Sequence, residues 1–118
     1  MYILYLCLKG GVNLRLTSFL QDRNLTIVLS GEIDHHCAKD FINAIKTKIE
    51  AYIPVVCVLD FSEVNFMDSS GIAVIINALR FMNKIDGKLM VCELHEQPKK
   101  VFMASGMDKL VCMTEGYK

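Results

Sequence analysis

The chain has 118 residues, 53% of them hydrophobic, and its 13 lysines and arginines balance 13 aspartates and glutamates. That size and apolar content suit one domain with its own core and exclude a disordered chain. The balanced charge excludes a nucleic-acid partner held by phosphate neutralisation and leaves little attraction to an anionic membrane, and no run is long enough to cross a bilayer.

Met1 to Leu8 is apolar but too short for a membrane helix, and it lacks the basic start and small-residue cleavage site of a signal peptide. Residues 1–13 have two readings. One is an extra edge strand. The other is upstream sequence read through, because Gly10-Gly11-Val12 can be encoded by GGAGGTG, which contains a ribosome-binding sequence, with translation then starting near Leu14. On that division residues 14–118 form the domain proper.

Leu14 to Leu20 reads as a strand with Leu14, Leu16, Ser18 and Leu20 on one face. Gln21 to Asn24 is a polar turn. Leu25 to Ser30 alternates again, placing Leu25, Ile27 and Leu29 on one side, so the two strands form an antiparallel hairpin ended by Gly31. Asp34 is the expected N-cap of a helix carrying Ala38, Phe41, Ile42, Ile45, Ile49 and Tyr52 at helical spacing, with Pro54 marking its end. Val55 to Leu59 is a continuous β-branched run, expected as a central strand buried on both faces and ended by Asp60. A loop over 61–68 leads to a helix from Ser69 to about Ile85, stopped by Asp86-Gly87. Leu89 to Cys92 reads as a further strand. A short helix has Pro98 in its first turn and closes at Ser105-Gly106. Leu110 to Met113 reads as the last strand. The order β-β-α-β-α-β-α-β implies an α/β domain: a mixed, mainly parallel sheet with an N-terminal antiparallel hairpin and helices packed against it.

Five cysteines occur, at 7, 37, 57, 92 and 112. Their odd count and the lack of any C-x-x-C spacing point to reduced thiols in a cytoplasmic protein. His35 and His36 are adjacent and so point in different directions, and His95 is remote in sequence. A shared metal ion or a catalytic triad is not expected. No Walker loop, G-x-G-x-x-G or G-x-S-x-G is present, so no cofactor and no enzymatic activity are expected.

The densest functional candidate is Phe66-Met67-Asp68-Ser69-Ser70-Gly71, between a buried strand and a helix start. Serine there serves first as a cap. Two serines and a glycine leave more hydroxyl than a cap needs, and Gly71 would let a partner approach the backbone. Free N–H groups and the helix dipole at such a position tolerate a phosphoryl dianion, while its charge, beside Asp68, would repel a closely packed partner. Val74, Ala78 and Phe81 form a second apolar stripe on this helix. It is either a wide core face or an exposed docking strip beside Ser69.

Gly31-Glu32-Ile33-Asp34-His35-His36 with Ala38, and Asp60-Phe61-Ser62 with Phe66 to Gly71, resemble the GE[LI]DHHxA and FMDSSG blocks of anti-sigma F factor antagonists, within the wider STAS domain family. The resemblance runs in order from about Leu14 to Met113. It implies a STAS-like fold and partner switching. The unphosphorylated protein binds an anti-sigma factor and frees the sigma factor. The anti-sigma factor, a serine kinase of the GHKL type, phosphorylates the residue matching Ser69. A metal-dependent serine phosphatase reverses this. It places Asp34 near the switch serine and Ser70 and Gly71 in the partner-binding surface, to which Asp68, beside Ser69, and Val74, on the apolar stripe, are added from their positions, and a spore-forming source is implied. The family usually adds a helix after the last strand, where only Thr114 to Lys118 remain here, and position 37 is Cys where several relatives carry Thr. Two other roles fit the same resemblance: an antagonist in a general-stress circuit, and a ligand-sensing module without a kinase partner.

Overall fold

The alternating sequence from Leu14 to Ser30 folds as the antiparallel hairpin it predicts. The computed structural model describes residues 2–9 and 12–114, with side chains from Leu16 onward. β1 (Tyr2–Lys9), β2 (Val12–Gln21) and β3 (Asn24–Ser30) form an antiparallel meander. β1 pairs along the length of β2, from Tyr2 opposite Phe19 to Lys9 opposite Val12. β2 and β3 are joined through Asp22 and Arg23, with φ of 52° and 69°. Two central residues with positive φ mark a type I′ turn, whose twist matches that of its strands.

The rest of the chain alternates: α1 (Ala38–Tyr52), β4 (Val56–Glu63), α2 (Ser69–Lys84), β5 (Lys88–Cys92), α3 (Glu96–Ala104), a 3-10 turn (Met107–Lys109) and β6 (Cys112–Thr114). The 3-10 turn was not expected, and it moves the last strand two residues later than its apolar run suggested. The six strands lie in chain order across the sheet, with β3 to β6 parallel.

That order decides where the helices go. Each crossover steps one strand in the same direction, and right-handed crossovers then place every helix on the same face. Leu16, Leu25, Ile27, Leu29, Cys57, Leu59, Phe61, Leu89 and Val91 fill that face. They meet Phe41, Ile45 and Ile49 of α1, Ile72, Val74, Ile75 and Met82 of α2, and Phe102 of α3. On the opposite face Thr17, Phe19, Val28, Val56, Val58 and Met90 are only half-buried. The run from Val55 to Leu59 is therefore covered on one face, not both, and Val55 is itself 50% exposed.

Two boundaries differ from the sequence expectation. β4 does not end at Asp60. It continues to Glu63, which pairs with Ser30 across a bulge, while the buried Asp60 carboxylate accepts a 2.7 Å hydrogen bond from the Ser62 N–H. α1 begins at Ala38 rather than directly after Asp34, because a turn over residues 35–37 intervenes. At its far end Ile53 adopts φ 44°, ψ 59° so that its N–H can bond the Ile49 carbonyl at 2.8 Å. A β-branched residue rarely accepts that left-handed conformation.

Candidate functional site

The site is built where the ends of β3 and β4 remain in step beyond the regular sheet. Gly31 N–H donates to the Glu63 carbonyl at 3.1 Å, Ile33 N–H to Phe66 at 3.0 Å, and Asp68 N–H to Ile33 at 3.2 Å. Ile33 and Met67 form a single parallel bridge, and both side chains are fully buried. Their next neighbours, Asp34 and Asp68, therefore emerge together at the carboxyl end of the sheet. This is where parallel α/β sheets expose their functional loops.

Asp34 does not cap α1 directly. Its carboxylate accepts from the His36 N–H at 2.9 Å, and its carbonyl accepts from Cys37 and Ala38 at 3.2 and 3.0 Å. It thereby holds the turn that precedes the helix, whose N-cap position falls to Cys37. Partial burial raises the Asp34 carboxyl, but the His36 N–H, the Cys37 thiol and the His36 charge outweigh this and hold it below the ordinary carboxylate value. The Cys37 thiol is buried, donates to the Glu32 carbonyl at 3.2 Å, and receives the Asp34 N–H at 3.4 Å. Burial first, then the Asp34 charge, pushes this thiol up, so it acts as a neutral tie.

The α2 start also differs from the expected serine cap. Asp68 takes the cap position in an extended conformation, and its carboxylate accepts the Ser70 N–H at 2.7 Å. Ser69 is the first helical residue and is exposed, while Ser70 is half-buried. An aspartate one residue ahead of the serines satisfies the free N–H and releases Ser69 from that duty.

Two further expectations change. Gly71 is buried, and a Cβ there would lie 2.5 Å from Met67 Sδ and 2.9 Å from Met67 Cβ. Its missing side chain admits the chain's own Met67, not a partner. Val74 and Ala78 are both 0% exposed and Phe81 is half-buried, so this stripe is core face and not an exposed docking strip. The cause is that α2 packs on α1 as well as on the sheet, which widens its buried arc.

The three histidines serve separate places. His35 and His36 are exposed with ring centroids 3.9 Å apart, whereas His95 Nε2 donates to the Ser62 carbonyl at 2.7 Å. No group of three or more His, Cys, Asp or Glu among the described residues could hold a metal ion. Sequence reasoning missed Gln97, whose side-chain amide makes two 3.0 Å hydrogen bonds to the Met67 backbone. It also gave no role to Phe66, which is 41% exposed beside the serines. The first has no local signal, since its partner lies 30 residues away. The second stood at the head of the candidate segment, and an apolar residue in that loop was the signal for it.

A sequential α/β sheet thus carries helices on one face and, at its carboxyl end, an exposed serine directly after the aspartate that caps α2. Residues 19–117 match the STAS domain family model, and the chain belongs to that family. It is 30% identical over 74% of its length to the anti-sigma F factor antagonist of Paenibacillus polymyxa, covering 74% of that protein. It is 26% identical over 70% of its length to that of Lysinibacillus sphaericus, covering 71% of it. The solved structure of the anti-sigma factor antagonist SpoIIAA in its unphosphorylated form superposes with a TM-score of 0.75 at 25% identity, covering 87% of this chain and 89% of that one. The phosphorylated form of the Bacillus SpoIIAA gives 0.67 at 25% identity, over 89% and 92% of the two chains. STAS anti-sigma antagonists are regulatory proteins without enzymatic activity, and this chain groups with them. No helix among the described residues is long and apolar enough to cross a membrane.

Proposed function

We propose that this protein is an anti-anti-sigma factor. Unphosphorylated, it binds an anti-sigma factor and so frees the sigma factor. Phosphorylation of Ser69 by that anti-sigma factor, acting as a GHKL-type serine kinase, ends the interaction, and a metal-dependent serine phosphatase restores it. The naming of the relatives supports the first step. The observation that supports Ser69 as the modified residue is that Asp68, not Ser69, caps α2, so an exposed serine stands free of capping at the helix start; the kinase and phosphatase follow from the resemblance to the family.

The electrostatics suit a switch. A phosphoryl group brings a charge of about −1.5 to −2. At the first residue of a 16-residue helix it meets the positive end of the dipole, so the domain need not unfold to carry it. It would also stand one residue from the Asp68 carboxylate and three from the exposed Phe66. A partner that buries Phe66 and the α2 start must desolvate little in the free-hydroxyl form and a dianion in the modified form. Asp34, held ionised next to the Ile33–Met67 bridge, adds a fixed acceptor for a basic or N–H group of the partner.

The test is incubation with the anti-sigma partner and Mg-ATP, followed by intact mass, with Ser69→Ala alongside. Gain of one phosphoryl group by the wild type only is the expected result. Gain by both proteins would move the site, and gain by neither, with an active kinase, would end the kinase-substrate reading.

A further inference from the structure

Met67 is the residue from which the α2 start is hung: Asp68 caps the helix directly after it and Ser69 follows. One edge of its backbone is held by Ile33, through Phe66 and Asp68. Its other edge faces α3. There the Gln97 side chain takes the place of a strand: Oε1 accepts the Met67 N–H at 3.0 Å and Nε2 donates to the Met67 carbonyl at 3.0 Å. Met67 is thus the middle of a three-membered ladder whose outer member is one side-chain amide. Two positions earlier on α3, His95 Nε2 holds the Ser62 carbonyl at 2.7 Å. The first turn of α3 and its cap therefore grip both ends of the segment 62–67.

Only a primary amide offers a planar donor and acceptor at this reach. Asparagine is a methylene shorter, glutamate lacks the donor, and lysine lacks the acceptor. The clamp is also separable from the core. α3 is anchored by Phe102, which is 0% exposed, and by the buried Pro98, whereas Gln97 is half-buried at the surface. Losing the amide would leave α3 docked but free one edge of the Met67 segment.

We infer that Gln97 is a positioning residue for Ser69, holding the segment before α2 in the one arrangement that a kinase or docking partner meets. This rests on the function proposed above and assigns α3 a part in it. Without the clamp, the competent arrangement becomes one of several, and apparent affinity falls in proportion to its population. Two hydrogen bonds of ordinary net strength shift the equilibrium constant between the clamped and unclamped arrangements by about tenfold or more.

The test compares wild type with Gln97→Met, which keeps length and apolar contact but removes both hydrogen bonds, and with Gln97→Glu, which keeps only the acceptor. Phosphorylation by the anti-sigma partner is measured at steady state, and amide exchange is followed at Met67, whose N–H has Gln97 as its acceptor. The expected result is a KM for this protein raised about tenfold with kcat within about twofold, faster exchange at Met67, and unchanged protection in β3 and β4. Wild-type KM and wild-type exchange in either folded variant would overturn the inference. So would a loss of protection spread evenly through the sheet, which would make Gln97 merely structural. If the wild type itself accepts no phosphate, the proposed function falls. Met67 exchange then decides the clamp alone: faster exchange upholds it, and unchanged exchange ends it.

Discussion

Replacing Gly71 by alanine tests the packing that supports the site. Helix propensity alone favours the change, by up to about 1 kcal/mol in a helix interior and less in the first turn. The structure predicts the opposite sign. The new Cβ would lie 2.5 Å from Met67 Sδ, 2.9 Å from Met67 Cβ and 3.0 Å from Met67 Cγ. The sulfur could swing aside, but Met67 Cβ is rooted in a backbone held by Ile33 on one edge and Gln97 on the other. Either Met67 or the start of α2 must shift. Overpacking of this kind costs about 1–3 kcal/mol. Set against the propensity gain, the net destabilisation is about 1–2 kcal/mol, a fall of roughly 4–8 °C in Tm for a domain of this size. Urea and thermal unfolding followed by circular dichroism measure it. A double-mutant cycle with Met67→Ala identifies the cause. Met67→Ala alone should cost about 2–5 kcal/mol, and the pair should fall short of the sum by about 1 kcal/mol or more, since the smaller side chain makes room for the Cβ. A Gly71→Ala protein more stable than wild type, or strict additivity in the cycle, would refute the close approach of Met67 to α2.

Four other outcomes follow from particular residues. Ile53→Gly should stabilise by about 0.5–1 kcal/mol in urea unfolding, because Ile53 is 53% exposed and held at φ 44°, where an L side chain costs about 1–2 kcal/mol, against about 0.5–1 kcal/mol of extra chain entropy lost by glycine; a loss of stability would show that its side chain contributes more than its strain. Ser18→Ala should be neutral or stabilising by up to about 1 kcal/mol, since the Ser18 hydroxyl is buried without a hydrogen-bond partner among the described residues; a loss above about 1 kcal/mol would reveal a bond or a water at that site. Alkylation mapped by peptide mass at pH 8 should modify Cys112 readily, and Cys37, Cys57 and Cys92 only on unfolding. Burial pushes Cys57 and Cys92 up to about 12 from an ordinary 9.0. The stability gained by keeping them neutral is therefore complete below pH 9 and is lost as pH rises from there toward 12, so a flat alkaline limb in both single Cys→Ala comparisons would contradict that burial.

By itself the sequence determined whatever depends on neighbours along the chain. Alternation from Leu14 to Ser30 announced the hairpin, helical spacing from Ala38 to Tyr52 and from Ser69 to about Ile85 announced two helices, and Asp68-Ser69-Ser70-Gly71 placed a polar cluster at a helix start. Tertiary structure decided whatever depends on residues far apart. An apolar stripe such as Val74, Ala78 and Phe81 has the same spacing whether it faces solvent or another helix, and only the packing of α2 on α1 buried it. A β-branched run reads alike whether covered on one face or two, and the sequential strand order put all the helices on one side. Gly71 read as an opening for a partner, since nothing local shows that Met67 fills the space. One local outcome also escaped the sequence: Asp68 and Ser69 both suit the cap position of α2, and Asp68 takes it. The grip of Gln97 on Met67 joins groups 30 residues apart, and a hydrogen bond of that separation leaves no period or motif to read.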